Sequence, residues 1–191
     1  MAYPDRDFLP RRRALLGGAL ATIALPAAAQ AEIPQSLITG SMARFKRARP
    51  PKPVPDLEFL DVNNQPLRLS DFADQARLIN LWATWCAPCV KEMPSLDRLQ
   101  ANMPRDRFMV LPISLDGPTK AKVVPFYKER NLFDLHVYYD KDRTAMSVLG
   151  VSLLPTSILV DPAGRELGRL EGDADWDTLD GLSLMRAAMA N

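Results

Sequence analysis

The stretch LWATWCAPCVKEMPSL, Leu81 to Leu96, holds both cysteines of a 191-residue chain, Cys86 and Cys89. Three chemistries suit two thiols at that spacing. As a structural staple they would close a four-residue loop, worth ~2 kcal/mol of chain entropy, and would join no distant segments. A structural zinc site needs about four ligands, and the chain adds only the single His136, far away in sequence. The third chemistry is thiol–disulfide exchange, which the neighbouring residues support. An apolar run precedes the pair, and Pro88 suits a first helical turn, where its missing N–H costs no intrahelical bond. Cys86 then falls at or near the helix cap, where unpaired N–H groups and the helix dipole stabilise a thiolate. A free thiol of pKa ~8.5 is only ~3% ionised at pH 7, whereas one near 7 is about half ionised. No neighbouring histidine is needed. Cys89, one turn on, is close enough to attack a mixed disulfide made at Cys86, and C-x-x-C in a βαβ context is a strong redox signal.

The elements that must hold this pair can be read from periodicity. ARLINLWAT is a continuous apolar run of strand length, as in a buried strand. Beyond the cysteines, Val90, Met93, Leu96, Leu99 and Met103 recur at three- and four-residue steps, one apolar helix face that Pro94 should bend. LEFLD and QPLRLSDF predict two short strands, the second running into a turn. FMVLPISLD predicts another buried strand, in which Pro112 suggests a bulge or an edge. KAKVVPFYKERN predicts a helix, LHVYYD a strand and RTAMSVLG a short helix closed by Gly150. TSILVDPAGRELGRL is a hairpin turning at Asp161-Pro162-Ala163-Gly164, and WDTLDGLSLMRAAMA a closing amphipathic helix. The fold class is α/β, with a mixed central sheet covered by helices on both faces. Trp82 is expected in the core and His136 as a satisfied strand residue. Trp85, just before Cys86, suits an apolar lip for a docking partner, with plain packing as the alternative.

NLWATWCAPCVKEMPSL resembles the active-site segment of the TlpA/ResA-like exported thiol–disulfide oxidoreductases of the thioredoxin superfamily. The likeness spans about Pro55 to Asn191 and includes the W-C-x-P-C core, Glu92, Pro94 and LPTSILVD, with GRELGRLEGDADWD nearer the TlpA branch. It implies a thioredoxin fold with an N-terminal β-hairpin extension. It also implies that Cys86 is the attacking thiol and Cys89 the resolving one. Pro155 corresponds to a cis-proline that faces the cysteines, so Leu154, Pro155 and Thr156, with Trp85 and Pro88, become candidate substrate-binding residues. Asn80 stands where cytoplasmic thioredoxins carry a buried aspartate, and it cannot take a proton. Glu92 is the carboxylate available to accept the Cys89 proton, its pKa raised by partial burial; a solvated helix glutamate is the plainer reading of its spacing. The resemblance implies reduction of disulfides in extracytoplasmic partners, at cytochrome-biogenesis or copper-chaperone cysteines, in cytochrome oxidase or cytochrome c biogenesis, with no diffusible cofactor and a membrane electron donor for re-reduction.

The remaining sequence bears on address and partners. Arg11-Arg12-Arg13 precedes 16 uncharged residues, Ala14 to Ala29, and Ala29-Gln30-Ala31 fits a signal-peptidase site. Residues 1–31 are therefore expected to be an export signal, with a twin-arginine-like RRALL and an uncleaved anchor as the alternative. Either places the folded part outside the cytoplasm, in the periplasm. Residues 32–55, with four prolines in ARPPKPVP, are expected to be an extended basic linker, and 56–191 one thioredoxin-like domain. From Pro53 onward 15 Lys and Arg face 20 Asp and Glu, a net of −5, which gives no footprint for nucleic acid. The rival reading is Cu(I) held directly by the two thiolates, although no methionine or histidine stands beside them.

Overall fold

The structure is a computed structural model that describes residues 32–190; the expected export signal, 1–31, lies outside the described residues. Eight strands form one sheet: β1 (Lys46–Pro53), β2 (Glu58–Asp61), β3 (Pro66–Arg68), β4 (Ala76–Trp82), β5 (Phe108–Ser114), β6 (Tyr138–Asp140), β7 (Thr156–Val160) and β8 (Arg165–Glu171). Their order across the sheet is β1-β8-β7-β4-β5-β6-β2-β3. β4 runs parallel to β5 and antiparallel to β7, so the sheet is mixed. Every residue of β4 and of β5 is buried, as their unbroken apolar runs require of central strands covered on both faces. The β2–β3 hairpin extends the far edge beyond β6.

Among the described residues four α-helices complete the domain: α1 (Ala87–Ala101), α2 (Lys120–Glu129), α3 (Ala145–Val148) and α4 (Leu179–Met189). Alternation along β4 divides the core. Leu78 and Trp82 pack with Met93, Leu96 and Leu99 of α1, Tyr127 of α2 and Leu184 of α4. Ile79 and Leu81 pack on the other face with Phe59, Phe72, Tyr138 and the α3 residue Ala145. This is the thioredoxin fold.

Two expectations need correction. Residues 32–55 are not a free linker. Two short 3-10 turns, Gln35–Leu37 and Gly40–Met42, lead into β1, which pairs antiparallel with β8 at the sheet edge. Ile33, Met42 and Phe45 are buried and anchor the segment to the first core cluster. Prolines 50, 51 and 53 are tolerated because an edge strand needs only one ladder, and the β1–β8 register shifts between Arg47 and Lys52. The basic residues meet local acceptors: Lys46 pairs with Glu171 at 2.6 Å, Arg49 with Glu32 at 3.2 Å, and Lys52 with Glu166 at 3.8 Å. Pro112, in turn, marks neither a bulge nor an edge. It lies inside β5 opposite Asn80, and β6 pairs only with Ile113 and Ser114, so a proline one residue earlier interrupts no ladder on that side. His136 lies two residues before β6 begins, and its carbonyl accepts a hydrogen bond from the Tyr127 hydroxyl at 3.2 Å.

Candidate active site

β4 delivers the chain through Ala83, Thr84 and Trp85 to Cys86, which caps α1. Cys86 has extended backbone angles, φ −93° and ψ 101°, and its Sγ accepts the Cys89 N–H at 3.3 Å. The cap role that Ser or Asp fills in most helices is thus taken by sulfur. Cys86 and Cys89 form a disulfide with an S–S distance of 2.07 Å. Cys86 keeps 7% exposure and Cys89 none, so the two sulfurs are unequal from the outset. Trp85 is 69% exposed and Pro88 is exposed, flanking Cys86 on the surface. Asp116, just beyond β5, fixes the approach to the cap. Its carboxylate accepts the Thr84 N–H at 2.8 Å, the Thr84 hydroxyl at 2.7 Å and the Ser114 hydroxyl at 2.9 Å.

Sheet register brings the second segment to the same end. Thr156 pairs with Leu81, near the end of β4 that leads to Cys86. Pro155 precedes it through a cis Leu154–Pro155 peptide, and its carbonyl accepts the Gly172 N–H at 2.8 Å. Thr156 is buried, with its hydroxyl donating to the Leu153 carbonyl at 2.8 Å. Leu154 is half-buried and packs on the cluster that contains both cysteines.

Glu92 is 2% exposed, on the buried face of α1 one turn beyond Cys89. Its Oε1 accepts Asn80 Nδ2 at 2.8 Å, while Oε2 accepts the Trp176 indole N–H at 2.9 Å and the Ala174 N–H at 3.1 Å. Burial raises its pKa to about 7, outweighing those three donors, and the Asp173 charge adds to the rise. The three bonds favour the carboxylate, but the cost of holding a charge away from water is larger. The loop that supplies two of the donors is clamped onto α1. Ser95 Oγ donates to the Ala174 carbonyl at 3.2 Å and accepts the Trp176 N–H at 3.2 Å. Lys91 pairs with Asp173 at 2.7 Å and Arg98 with Asp177 at 2.5 Å.

The residues singled out from sequence therefore gather at one end of the sheet, and Glu92 proves enclosed rather than solvated. Sequence reasoning missed the partners of Glu92. Trp176 lies 84 positions away, and nothing in GRELGRLEGDADWD or WDTLDGLSLMRAAMA ties it to Glu92. The available signal was chemical, since a buried indole needs a partner for its N–H. Asn80 was read as the loss of a proton acceptor; here it is a donor, bridging Glu92 and Ser157 Oγ, the latter at 2.9 Å. Among the described residues no group of three or more His, Cys, Asp or Glu is arranged to hold a metal ion.

Comparison with known proteins agrees with this geometry. The AhpC/TSA family pattern matches residues 50–165. The thiol-disulfide oxidoreductase ResA of Bacillus cereus (strain ATCC 10987 / NRS 248) is 28% identical over 145 residues, covering 76% of this chain and 83% of that protein. A secreted thiol-disulfide isomerase of Corynebacterium glutamicum superposes with a TM-score of 0.59 at 28% identity, over 74% of this chain and 90% of that one. The thiol:disulfide interchange protein of Chlorobium tepidum TLS, a thioredoxin family protein, has the same fold, with a TM-score of 0.61 at 20% identity over 73% of this chain and 97% of its own. A disulfide-bonded cysteine pair at the start of a helix, at the end of a thioredoxin sheet, together with these likenesses, places the chain in the AhpC/TSA family as a ResA/TlpA-like thiol–disulfide oxidoreductase.

Proposed function

We propose that the protein reduces disulfides in partner proteins outside the cytoplasm, with Cys86 as the attacking thiol and Cys89 as the resolving one. The observation that carries this reading is the inequality of the two sulfurs. Cys86 sits at the helix cap with residual exposure, while Cys89 is enclosed behind it. In the reduced form the Cys86 thiolate attacks one sulfur of the partner disulfide, and the other partner sulfur leaves as a thiolate. Cys89 loses its proton to Glu92 and attacks Cys86 Sγ, which releases the second partner thiolate. The partner gains two electrons and the protein is left with the Cys86–Cys89 disulfide. A membrane electron donor with a dithiol of its own returns it to the reduced form. Trp85, Pro88 and Leu154 bound the surface on which an extended partner segment would lie, while Pro155 and Thr156, expected to line it, are buried behind it.

An N-terminal export signal and the secreted relative support a periplasmic address, and the TlpA/ResA resemblance supports work in cytochrome oxidase or cytochrome c biogenesis. Two assays test the reading. Reduced protein should accelerate insulin reduction, and a Cys89→Ser variant should accumulate mixed disulfides with its partners through Cys86. A dithiol that equilibrates with glutathione as a strong oxidant would reverse the direction assigned here.

A further inference from the structure

Arg77 lies at the opposite end of β4 from the cysteines, second in the strand and paired with Val160 of β7. It is 3% exposed, an unusual depth for a guanidinium. Nη1 donates to the Phe72 carbonyl, and Nε is buried with no partner among the described residues. The two carboxylates whose charge reaches it are Asp161 and Asp56. Asp161 is bound by Arg165, whose Nε donates at 2.7 Å and whose backbone N–H donates at 2.8 Å. Asp56 accepts the Ser70 N–H at 2.9 Å and the Ser70 hydroxyl at 3.0 Å, with Arg68 at 3.8 Å. Neither carboxylate forms an ion pair with Arg77, so a buried cation is left with spare donors. Burial accordingly lowers its pKa, against the pull of those acids.

Arg77 also lines a cavity of about 340 Å³. Ile79 and Val160 continue the sheet surface beside it, Val54, Leu69 and Pro162 supply apolar walls, and Asp56, engaged by Ser70 and Arg68, also stands in the lining. A Cβ added at Gly164, in the β7–β8 turn, would meet Nη2 at 3.5 Å, which sets that nitrogen beside the rim. The volume is roughly eleven times the ~30 Å³ share of one water. Guanidinium forks match carboxylates in two parallel bonds, while the apolar walls suit hydrocarbon and disfavour a fully hydrated anion.

We propose that this cavity binds a carboxylate carried on a small apolar body, the carboxylate seated on Arg77 and the body against Ile79, Val160 and Leu69. The site lies apart from the dithiol, and the proposal does not depend on the direction of disulfide exchange. Either a free organic acid or the C-terminus of an apolar peptide presents this chemistry.

The test is titration of the oxidised full chain, followed by amide NMR shifts at Ser70, Ala73 and Gly164, with hexanoate, N-acetyl-leucine, hexanamide and inorganic phosphate as probes. At least one of the two acids should bind saturably, and hexanamide should bind ~10- to 100-fold more weakly than hexanoate, the loss of charge-assisted bonds. Arg77→Met should weaken the acids by the same ~10- to 100-fold and leave insulin reduction intact, which also reports its folding. Ala73→Trp, an exposed residue on the cavity wall, should block both acids. Preference for N-acetyl-leucine assigns a peptide terminus, and preference for hexanoate a free acid. Equal binding of hexanoate and hexanamide overturns the proposal even if Arg77→Met fails to fold. So does unchanged binding in Arg77→Met, binding of phosphate as tight as that of the acids, or no saturable binding of either acid.

Discussion

Glu92, the proposed acceptor of the Cys89 proton, is held by Asn80 through a hydrogen bond of 2.8 Å. Glu92 accepts three N–H donors and still titrates near pH 7 because burial dominates. Its folded pKa stands above the ordinary 4.5, so it contributes stability that is fully present below about pH 4.5 and lost as pH rises through about 7. Glu92→Gln should therefore flatten urea stability between those pH values, where the parent loses about 3 kcal/mol. Equal slopes in parent and variant would show that Glu92 does not titrate there. Asn80 Oδ1 has no partner among the described residues, while its Nδ2 serves Glu92 and Ser157. Asn80→Leu removes the donor to the carboxylate and should move the pH midpoint of mixed-disulfide resolution upward by about one unit. A single-turnover pH profile that stays in place would assign Asn80 to packing alone.

At the scale of elements, α1 and the Gly172–Trp176 segment make one assembly, while β1 closes the sheet from the other side. Gly168 permits that closure. A Cβ there would lie 2.5 Å from both the Lys46 carbonyl and the Phe45 ring, so β1 and its anchor could not approach β8 as they do. Gly168→Ala should cost about 1–3 kcal/mol through overpacking, and Phe45→Ala about 3–5 kcal/mol through the cavity it leaves. Urea denaturation measures both; a free linker predicts no loss for Phe45→Ala. The central strands and α1 were legible because unbroken apolar runs and three–four spacing leave few alternatives. β1 was not, because prolines and basic residues mask a strand whose pairing partner lies more than a hundred positions away, and Ile33, Met42 and Phe45 follow irregular turns with no period to read. For the same reason the indole donor to Glu92 escaped notice, since a loop contact leaves no local pattern.

Across the whole molecule, the sheet separates two ends with different chemistry. One carries the cysteines, the enclosed carboxyl and the exposed Trp85; the other carries Arg77 and its cavity. The positions of Cys86 and Cys89 could be anticipated because helix geometry is local, whereas spacing alone left Glu92 open to a solvated reading and the hydrogen bonds that set its state depend on the closed fold. The account rests on the Cys86 cap stabilising a thiolate. Alkylation rate against pH in a Cys89→Ser variant, where one thiol alone reports, measures this directly. The predicted midpoint lies well below the ~8.5 of a free thiol, near 7. A midpoint at or above the free value, or a sulfur that iodoacetamide does not reach in the folded protein, would contradict it.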